Sequence, residues 1–231
     1  MRLSHPSLPL HPLQPGSMRD VPTLGSKKQF PSSKNRETKA KYVWLKCEKI
    51  LKGAKILDVG ADKCHLKEYL DSKASYWGVG FGEVDLDKGS LPFEDQSYGC
   101  VLCLDVLEHL ENIREVFDHL CRINRRHVII SLPNPWGMMT GRDHLKFYGS
   151  PVDRPEDRHR WFFSSSEAIA FIRYRAEKTG MEVQQLDHGQ PGAKANSFRR
   201  LRWHLKTALL RPGLKDDDFR ADTLWAVIEK K

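Results

Sequence analysis

Short apolar segments alternate with amphipathic segments along most of this chain, and no other feature restricts its fold as strongly. Residues 55–60, KILDVG, form a short apolar run that ends in a glycine, and residues 100–104, CVLCL, form another that ends before Asp105. Over residues 113–123, by contrast, apolar residues recur at the spacing of one helix face. Strands that alternate with helices predict an α/β fold with a single doubly wound, mainly parallel sheet and helices on both faces.

The same periodicity predicts the remaining elements. Ser164 with Glu167 and Asn112 with Glu115 have the spacing of a capping box, in which the first side chain accepts a hydrogen bond from a backbone N–H. Helices are expected at residues 42–53, 64–70, 113–123 and 164–180, and further strands at residues 76–81, 84–86, 127–131, 181–186 and 223–228.

The composition of the first 36 residues predicts a disordered lead-in. Six of the 13 prolines fall within the first 31 residues, and proline interrupts helices. The segment lacks the continuous apolar region of a secretory signal, and no run in the chain reaches the ~18 apolar residues of a membrane-spanning helix. We therefore expect a cytoplasmic protein, with a peripheral position at the inner face of a membrane as the other option.

The cysteines agree with a reducing compartment. The chain has five of them, at spacings that form no disulfide framework. Cys100 and Cys103 form a CxxC pair, but they lie on a predicted strand and no second pair follows to complete a zinc site. We expect both to be buried, on opposite faces of the sheet.

Three motifs occur in a fixed order along the chain: ILDVG at residues 56–60, LPFEDQSY at 91–98 and LDVLEHL at 104–110. Together they resemble the class I S-adenosylmethionine-dependent methyltransferases, specifically the type 11 methyltransferase domain. The resemblance extends over about residues 40–187, and residues 223–231 are similar to the final strand of that family. It implies a Rossmann-like domain at residues 37–231 with an antiparallel last strand and a basic helical insert at about residues 193–215.

The resemblance also implies S-adenosyl-L-methionine as the cofactor and assigns positions to its parts. Asp58 and Gly60 would frame the turn under the methionine part, Glu83 would lie near the ribose, and Asp87 would lie on the adenine side. Asp105 would close the site after the fourth strand. The implied cofactor-binding residues are Asp58, Gly60, Ala61, Asp62, Gly80, Phe81, Glu83, Asp87, Lys88, Leu104 and Asp105.

This chain departs from the family pattern at two of these positions. Asp62 replaces the second glycine of the usual Gly-x-Gly, and Gly80 stands where the family has the acid that holds the ribose hydroxyls. Glu83 could substitute for that acid if its loop curls back. The helix that normally follows the second strand is also missing. A shortened subfamily explains these departures, and the alternative is a catalytically degenerate, methyltransferase-like binding or scaffold protein.

Residues for the methyl acceptor are expected between residues 134 and 161, where a long loop follows the fifth strand. Methyl transfer from a sulfonium needs positioning and, for a hydroxyl or amine, a general base; we expect no metal cluster. His159 is the favoured base and His109 the second candidate. A solvated lid is the alternative interpretation of this loop. The candidate acceptor residues are His144, Lys146, Tyr148, Arg158 and Trp161.

The net charge of +8 is concentrated in two segments. Residues 1–41 and residues 194–211 each carry a net charge of +6, so the rest of the chain is mildly acidic. A nucleic-acid partner is therefore unlikely on charge alone. The basic, amphipathic segment 194–211 is compatible with an anionic membrane surface, with an acidic substrate, or with ordinary docking on the sheet edge. The expected acceptor is a small molecule, a glycan or a lipid-linked intermediate, with negative charge.

Overall fold

A central sheet organises the structure. The computed structural model describes residues 31–32, 36–80, 82–87, 91–135, 159–191 and 223–231. Within these residues, seven strands form one sheet in the order β1-β6-β7-β5-β4-β2-β3. The strands are β1 (Pro31–Ser32), β2 (Lys55–Val59), β3 (Ser75–Val79), β4 (Tyr98–Leu104), β5 (Asn124–Pro133), β6 (Met181–Pro191) and β7 (Thr223–Lys230).

One strand runs against all the others. Strands β2 to β5 pair in parallel, whereas β7 lies between β5 and β6 and pairs antiparallel with both. The chain leaves β2 for β3 on one side and then crosses to β4 on the other side, which creates a topological switch point between β2 and β4. The doubly wound, mainly parallel sheet with an antiparallel last strand is confirmed.

Helices cover both faces of the sheet, as predicted. Helix α1 (Arg36–Leu51) and a 3₁₀ helix (His65–Tyr69) pack on one face, while α2 (Ile113–Ile123) and α3 (Ser165–Lys178) pack on the other. A second 3₁₀ helix, Leu107–His109, follows β4. None of the helices in the described ranges is both long and apolar enough to cross a membrane.

The strands at the centre of the sheet are continuous apolar runs because both of their faces are covered. Every residue of β2 except Lys55 is buried. In β4, Cys100 and Cys103 are both fully buried and lie in the two separate clusters on opposite faces. The prediction that this CxxC pair is apolar core is confirmed.

The motif at residues 91–98 is fastened to α2 by one arginine. The Arg122 guanidinium donates hydrogen bonds to the carbonyl oxygens of Leu91, at 3.0 Å, and Phe93, at 2.9 Å. It also pairs with the Asp95 carboxylate, and the backbone N–H of Gln96 donates to the Arg122 carbonyl at 2.9 Å. Residues 91–97 form no strand or helix, so Arg122 supplies hydrogen-bond partners for backbone groups that regular structure would otherwise pair.

Two of the predicted elements are wrong in the structure. Residues 82–87 form turns and a bend instead of the strand expected at 84–86, because Val84 and Leu86 pack on the core from a loop. The predicted helix at 64–70 is a single 3₁₀ helix. As expected, the described residues between β3 and β4 (80, 82–87 and 91–97) contain no helix.

The two predicted capping boxes differ in outcome. At α3, the Ser164 hydroxyl accepts from the Glu167 N–H and the Glu167 carboxylate accepts from the Ser164 N–H, which confirms the prediction. At α2, the Asn112 side chain makes no capping bond. It donates to the Asp87 carbonyl at 3.1 Å instead, because the loop after β3 lies against the start of this helix.

Two described elements include residues of the predicted lead-in. Pro31 and Ser32 form the edge strand β1, which pairs in parallel with Gln190 and Pro191, and Arg36 already belongs to α1. An edge strand tolerates Pro31 because one side of it needs no backbone donor. Residues 1–30 and the predicted basic insert at 193–215 lie outside the described residues.

Candidate active site

The ends of β2, β3 and β4 lie side by side at the carboxyl edge of the sheet. Because these strands are parallel neighbours, the turn after Val59, the loop after Val79 and the residues after Leu104 all meet at this edge. In open α/β sheets, ligands bind at this edge near the topological switch point. The predicted cofactor residues are therefore brought together by the order of the strands.

The turn after β2 requires a glycine at position 60. Gly60 has a φ of 83°, in the left-handed region, and a Cβ built on it would lie only 2.2 Å from Cγ2 of Val106. The backbone N–H groups of Gly60 and Ala61 both donate to the Val79 carbonyl, at 2.8 and 3.1 Å. These contacts hold the turn close to β3, with Val106 packed against Gly60.

Asp62 keeps the backbone geometry that a glycine would have. Its φ is 44°, and aspartate is among the few residues that adopt the left-handed region at low cost. Its carboxylate pairs with the Arg36 guanidinium at 3.6 Å, and the same guanidinium lies 3.5 Å from the Gly60 carbonyl. The charge of Asp62 is therefore partly balanced by a cation that α1 supplies.

Asp58 faces the interior of the sheet. The Tyr76 hydroxyl donates to its carboxylate at 2.6 Å, and only 7% of the residue is exposed. Burial raises the pKa of Asp58 to about 6, although the Tyr76 hydrogen bond and nearby Arg36 oppose the rise. Asp58 thus directly precedes the turn with one of its oxygens bonded to Tyr76, and its role toward the cofactor stays a prediction.

The loop after β3 curls back, so that Glu83 lies beside Gly80. The Glu83 carboxylate accepts a hydrogen bond from the Gly80 N–H at 2.7 Å, and the Glu83 N–H donates to the Gly80 carbonyl at 3.4 Å. A Cβ on Gly80 would lie 3.7 Å from Oε2 of Glu83. The carboxylate therefore lies next to position 80, and its role toward the ribose stays a prediction.

Asp87 contacts the start of α2. Its carboxylate accepts from the Asn112 N–H at 3.0 Å, which satisfies a backbone donor at the helix start. The adenine-side role of Asp87 stays a prediction. Phe81 and Lys88, which the resemblance also assigned to the cofactor, lie outside the described residues.

Asp105 follows β4 in a left-handed conformation, with a φ of 52°. The Ser131 hydroxyl donates to one oxygen of its carboxylate at 2.7 Å, and Lys39 of α1 pairs with the other. Asp105 is thereby fixed between α1 and β5. Leu104, one residue earlier, ends β4 and packs on the α1 face.

Three potential metal-ligating side chains meet just beyond Asp105. Glu108 and His109 belong to the 3₁₀ helix, and His159 lies in the described segment that precedes α3; their ligand atoms lie within 4.8 Å of one another. The two imidazole rings meet edge to face at 4.5 Å between centroids. Both carboxylate oxygens of Glu108 are buried and have no hydrogen-bond partner among the described residues.

The electrostatics of this cluster bear on the predicted base. Burial raises the pKa of Glu108 to about 8, whereas burial, with smaller effects from His109 and Lys39, lowers the pKa of His159 to about 3. An imidazole with so low a pKa is a weak proton acceptor, because general bases work best with a pKa near the operating pH. The assignment of either histidine as the general base stays a prediction. The low pKa of His159 disfavours that role for His159.

The segment after His159 is anchored through its backbone. The N–H groups of Arg160 and Trp161 both donate to the Glu108 carbonyl, at 2.7 and 3.1 Å. The Trp161 indole N–H donates to the Leu110 carbonyl at 2.7 Å, and its ring stacks on Phe163. Trp161 is therefore held in the wall beside the cluster. The other predicted acceptor residues, His144, Lys146, Tyr148 and Arg158, lie outside the described residues.

The methyltransferase domain family matches residues 33–186, about two thirds of the chain. This chain belongs to that family. No curated protein sequence matches the methyltransferase significantly. It uses S-adenosyl-L-methionine as its cofactor, and its membership of the class I methyltransferases is confirmed.

Several solved structures are similar to this methyltransferase at low sequence identity. A SAM-dependent methyltransferase from Archaeoglobus fulgidus is 13% identical, with a TM-score of 0.54, and the match covers 84% of this chain and 94% of that one. Magnesium protoporphyrin IX methyltransferase from Synechocystis, solved with bound SAM, is 15% identical over 84% of this chain and 79% of that one, with a TM-score of 0.48. A Mesorhizobium loti enzyme is 14% identical over 81% and 97%, with a TM-score of 0.46.

Sequence reasoning missed two cations at this edge. Arg36 and Lys39 lie one helical turn apart on α1 and reach the ends of β2 and β4. Their i, i+3 spacing at the start of a helix is the available signal. Glu108 is visible in the sequence beside His109, but its proximity to His159, 51 positions later, exists only in the fold.

Proposed function

We propose that this methyltransferase binds S-adenosylmethionine across the ends of β2, β3 and β4 and transfers its methyl group to an anionic small-molecule, glycan or lipid-linked acceptor. The observation that carries the proposal is the return of the Glu83 carboxylate to Gly80. An acid at the end of β3 can accept hydrogen bonds from the two ribose hydroxyls. Glu83 would supply that acid from a position three residues later than usual.

Other residues at the edge support this placement. Gly60 has no side chain of its own and lets Val106 pack directly on the turn, so substitution at position 60 would displace either the turn or Val106. Arg36 lies beside the Gly60 carbonyl and could pair with the carboxylate of the methionine part. The residues present thus fit the cofactor.

The bound cofactor would supply a methyl group already activated on a sulfonium. The protein's own work is then to orient the acceptor in line with that group and to exclude water. Asp105, fixed by Lys39 and Ser131, would form one wall of this space, and the segment from His159 to Trp161 would form the acceptor side.

The degenerate-pocket alternative makes a distinct prediction, namely that neither S-adenosylmethionine nor S-adenosylhomocysteine binds. Two observations support a competent pocket: Asp62 has a left-handed backbone with a φ of 44°, and the Glu83 carboxylate lies beside Gly80. Both favour a competent pocket over a scaffold.

Calorimetric titration with S-adenosylhomocysteine tests the proposal. We expect Glu83→Gln to weaken binding about 10- to 100-fold, because a hydrogen bond to a charged group is worth ~1.5–3 kcal/mol. The glutamine can still accept from the Gly80 N–H, so the loop should remain in place. Glu68→Gln, which changes an exposed carboxylate in the 3₁₀ helix at residues 65–69, is the control and should bind normally. Failure of the wild-type protein to bind either ligand at high micromolar concentration would reject the proposal.

The acceptor class rests on the basic residues of the sequence outside the described ranges. For segment 194–211 we propose contact with an anionic acceptor or an anionic lipid surface. Sedimentation with phosphatidylglycerol vesicles, compared with phosphatidylcholine vesicles, separates the two: binding to the anionic vesicles alone supports the membrane surface. We expect negligible affinity for RNA. Low salt is the stringent condition for this test, because contacts to phosphates are strongest there.

A further inference from the structure

Glu108, His109 and His159 have the composition and the proximity of a metal site. A carboxylate and two imidazoles can each offer one ligand atom, and these atoms lie within 4.8 Å of one another. Ligands around one transition-metal ion lie roughly 3–3.5 Å apart, given bond lengths near 2.1 Å. Small rotations of the side chains would therefore close the set around an ion.

The burial of Glu108 is the independent observation that points to a ligand. The residue is only 1% exposed, and neither of its carboxylate oxygens has a hydrogen-bond partner in the described part of the chain. Buried polar groups are almost always satisfied, because a carboxylate that is removed from water without a partner is costly. A bound cation beside His109, whose Nε2 lies 3.8 Å from the Glu108 carboxylate, would satisfy it.

No neighbouring group in the described part of the chain donates a hydrogen bond to the Glu108 carboxylate. Asp105, three residues earlier, is paired with Lys39 and with the Ser131 hydroxyl, so its charge is accounted for. The backbone carbonyl of Glu108 accepts from Arg160 and Trp161, which fixes the main chain and holds His159 beside the side chain of Glu108. The cluster is therefore held by the backbone.

We propose that Glu108, His109 and His159 bind a divalent first-row transition metal ion, and that the ion's open positions take an oxygen atom of the methyl acceptor. Two imidazoles and one carboxylate are a set that Zn²⁺, Fe²⁺ and related ions accept, whereas Mg²⁺ prefers oxygen ligands throughout. Three protein ligands leave coordination positions for another molecule. The role toward the acceptor rests on the proposed function; the metal site itself does not.

Metal binding is measured on the full chain after treatment with a chelator. The stripped protein is titrated with Co²⁺, whose visible absorption reports the ligand geometry, and its zinc content is measured after incubation with Zn²⁺ and gel filtration. We expect about one ion per chain, and no comparable binding of Mg²⁺. Wild-type protein that retains no Zn²⁺ and develops no Co²⁺ absorption contradicts the site.

Variants locate the ion. Glu108→Gln, His109→Ala and His159→Ala should each weaken Zn²⁺ binding at least about 100-fold, since even outer partners of metal ligands contribute ~10–100-fold. His119→Ala and Glu115→Gln, both on α2, are matched controls and should bind like the wild type. Glu108→Gln is nearly isosteric and removes an unpartnered buried carboxylate, so it should fold even if a histidine variant does not. Retention of Zn²⁺ by the three cluster variants would overturn the proposal.

Binding of S-adenosylhomocysteine to the stripped protein separates this inference from the proposed function. If the cofactor product binds but Zn²⁺ does not, the metal site is wrong and the cofactor site stands. If Zn²⁺ binds at the cluster but the cofactor product does not, the metal site stands and its role toward a methyl acceptor fails together with the proposed function.

Discussion

Individual residues at the carboxyl edge show how this methyltransferase accommodates an altered family pattern. At position 62, backbone conformation matters more than the absence of a side chain, so an aspartate with a φ of 44° can replace a glycine. At position 60 the absence of a side chain does matter, because Val106 fills the space next to it. Two neighbouring positions of one turn thus tolerate substitution very differently.

Gly60→Ala should therefore abolish tight binding of S-adenosylhomocysteine. The new methyl group would lie 2.2 Å from Val106, so either the turn or Val106 must move. Gly180→Ala, between α3 and β6, is the matched control, because Gly180 also has a positive φ, 72°, but has no atom within 4 Å of its added Cβ. Both variants pay ~1–2 kcal/mol of stability for the left-handed backbone, but only Gly60→Ala should lose binding. Equal affinities for the two variants would contradict the proposed position of the pocket.

Asp58 should make stability depend on pH in a defined direction. Its folded-state pKa of about 6 lies above the ordinary value of 3.8, so between these values the folded state holds a proton that the unfolded state has lost. The free energy of unfolding should therefore fall as pH rises from about 4 to 6, by roughly 3 kcal/mol relative to Asp58→Asn.

Denaturant unfolding of both proteins across this pH range measures the difference. Tyr76→Phe removes a hydrogen bond that favours the ionised carboxylate, so it should steepen the fall. A constant difference between wild type and Asp58→Asn from pH 4 to 7 would contradict the assignment.

Elements differ in how well the sequence predicts them. Strands β2 and β4 are continuous apolar runs, and covered parallel strands must have this pattern, so their positions follow from sequence. The loop at 82–87 has the alternation of a strand because Val84 and Leu86 both reach the core from turns. Alternation records which residues are buried, and a turn can bury alternate residues as well as a strand can.

Arg122 is predicted to stabilise the loop at residues 91–98. Arg122→Met should lower the free energy of unfolding by about 2–4 kcal/mol, because the carbonyls of Leu91 and Phe93 lose a charged donor. Arg126→Met, in β5, is the control; its side chain is exposed and its pair with Glu229 should contribute little, about 0.5 kcal/mol or less. A similar loss of unfolding free energy in both variants would show that Arg122 does not specifically stabilise this loop.

Ser164→Ala should destabilise the protein by about 1 kcal/mol, since it removes the hydroxyl of the capping box at α3. Thermal unfolding measures the loss. Ser97→Ala is a suitable comparison, because its hydroxyl also bonds a backbone group, the Glu94 carbonyl at 2.7 Å, but starts no helix. A loss in Ser97→Ala as large as that in Ser164→Ala would argue against a specific capping effect.

At the scale of the whole molecule, the topology follows from the order of elements, but the meeting of distant side chains does not. Alternating strands and helices restrict the chain to a few parallel arrangements, because crossovers between parallel strands are almost always right-handed. The cluster of Glu108, His109 and His159 forms only where the fold brings His159 next to residues 108 and 109. No periodicity in the sequence encodes the distance between these side chains. The site is therefore partly visible in motifs and partly a product of tertiary packing.

Strand β7 should be the least tolerant of backbone change. Ala226→Pro removes a backbone donor from a strand that is paired on both sides, with Ile130 of β5 and Leu186 of β6. We expect the variant to lose cooperative unfolding by circular dichroism, whereas Lys231→Pro, just beyond the strand, should unfold like the wild type. A cooperative transition in Ala226→Pro would mean that the sheet does not depend on continuous pairing here.

The position of β7 also imposes an order on the maturation of the protein. It follows every other strand along the chain, yet it is the only element joining β6, with β1 beyond it, to β5 in the sheet. Until β7 pairs, β5 and β6 each present one unpaired edge. Such edges are templates for pairing with other chains, so incorporation of β7 closes two strand edges of the described sheet.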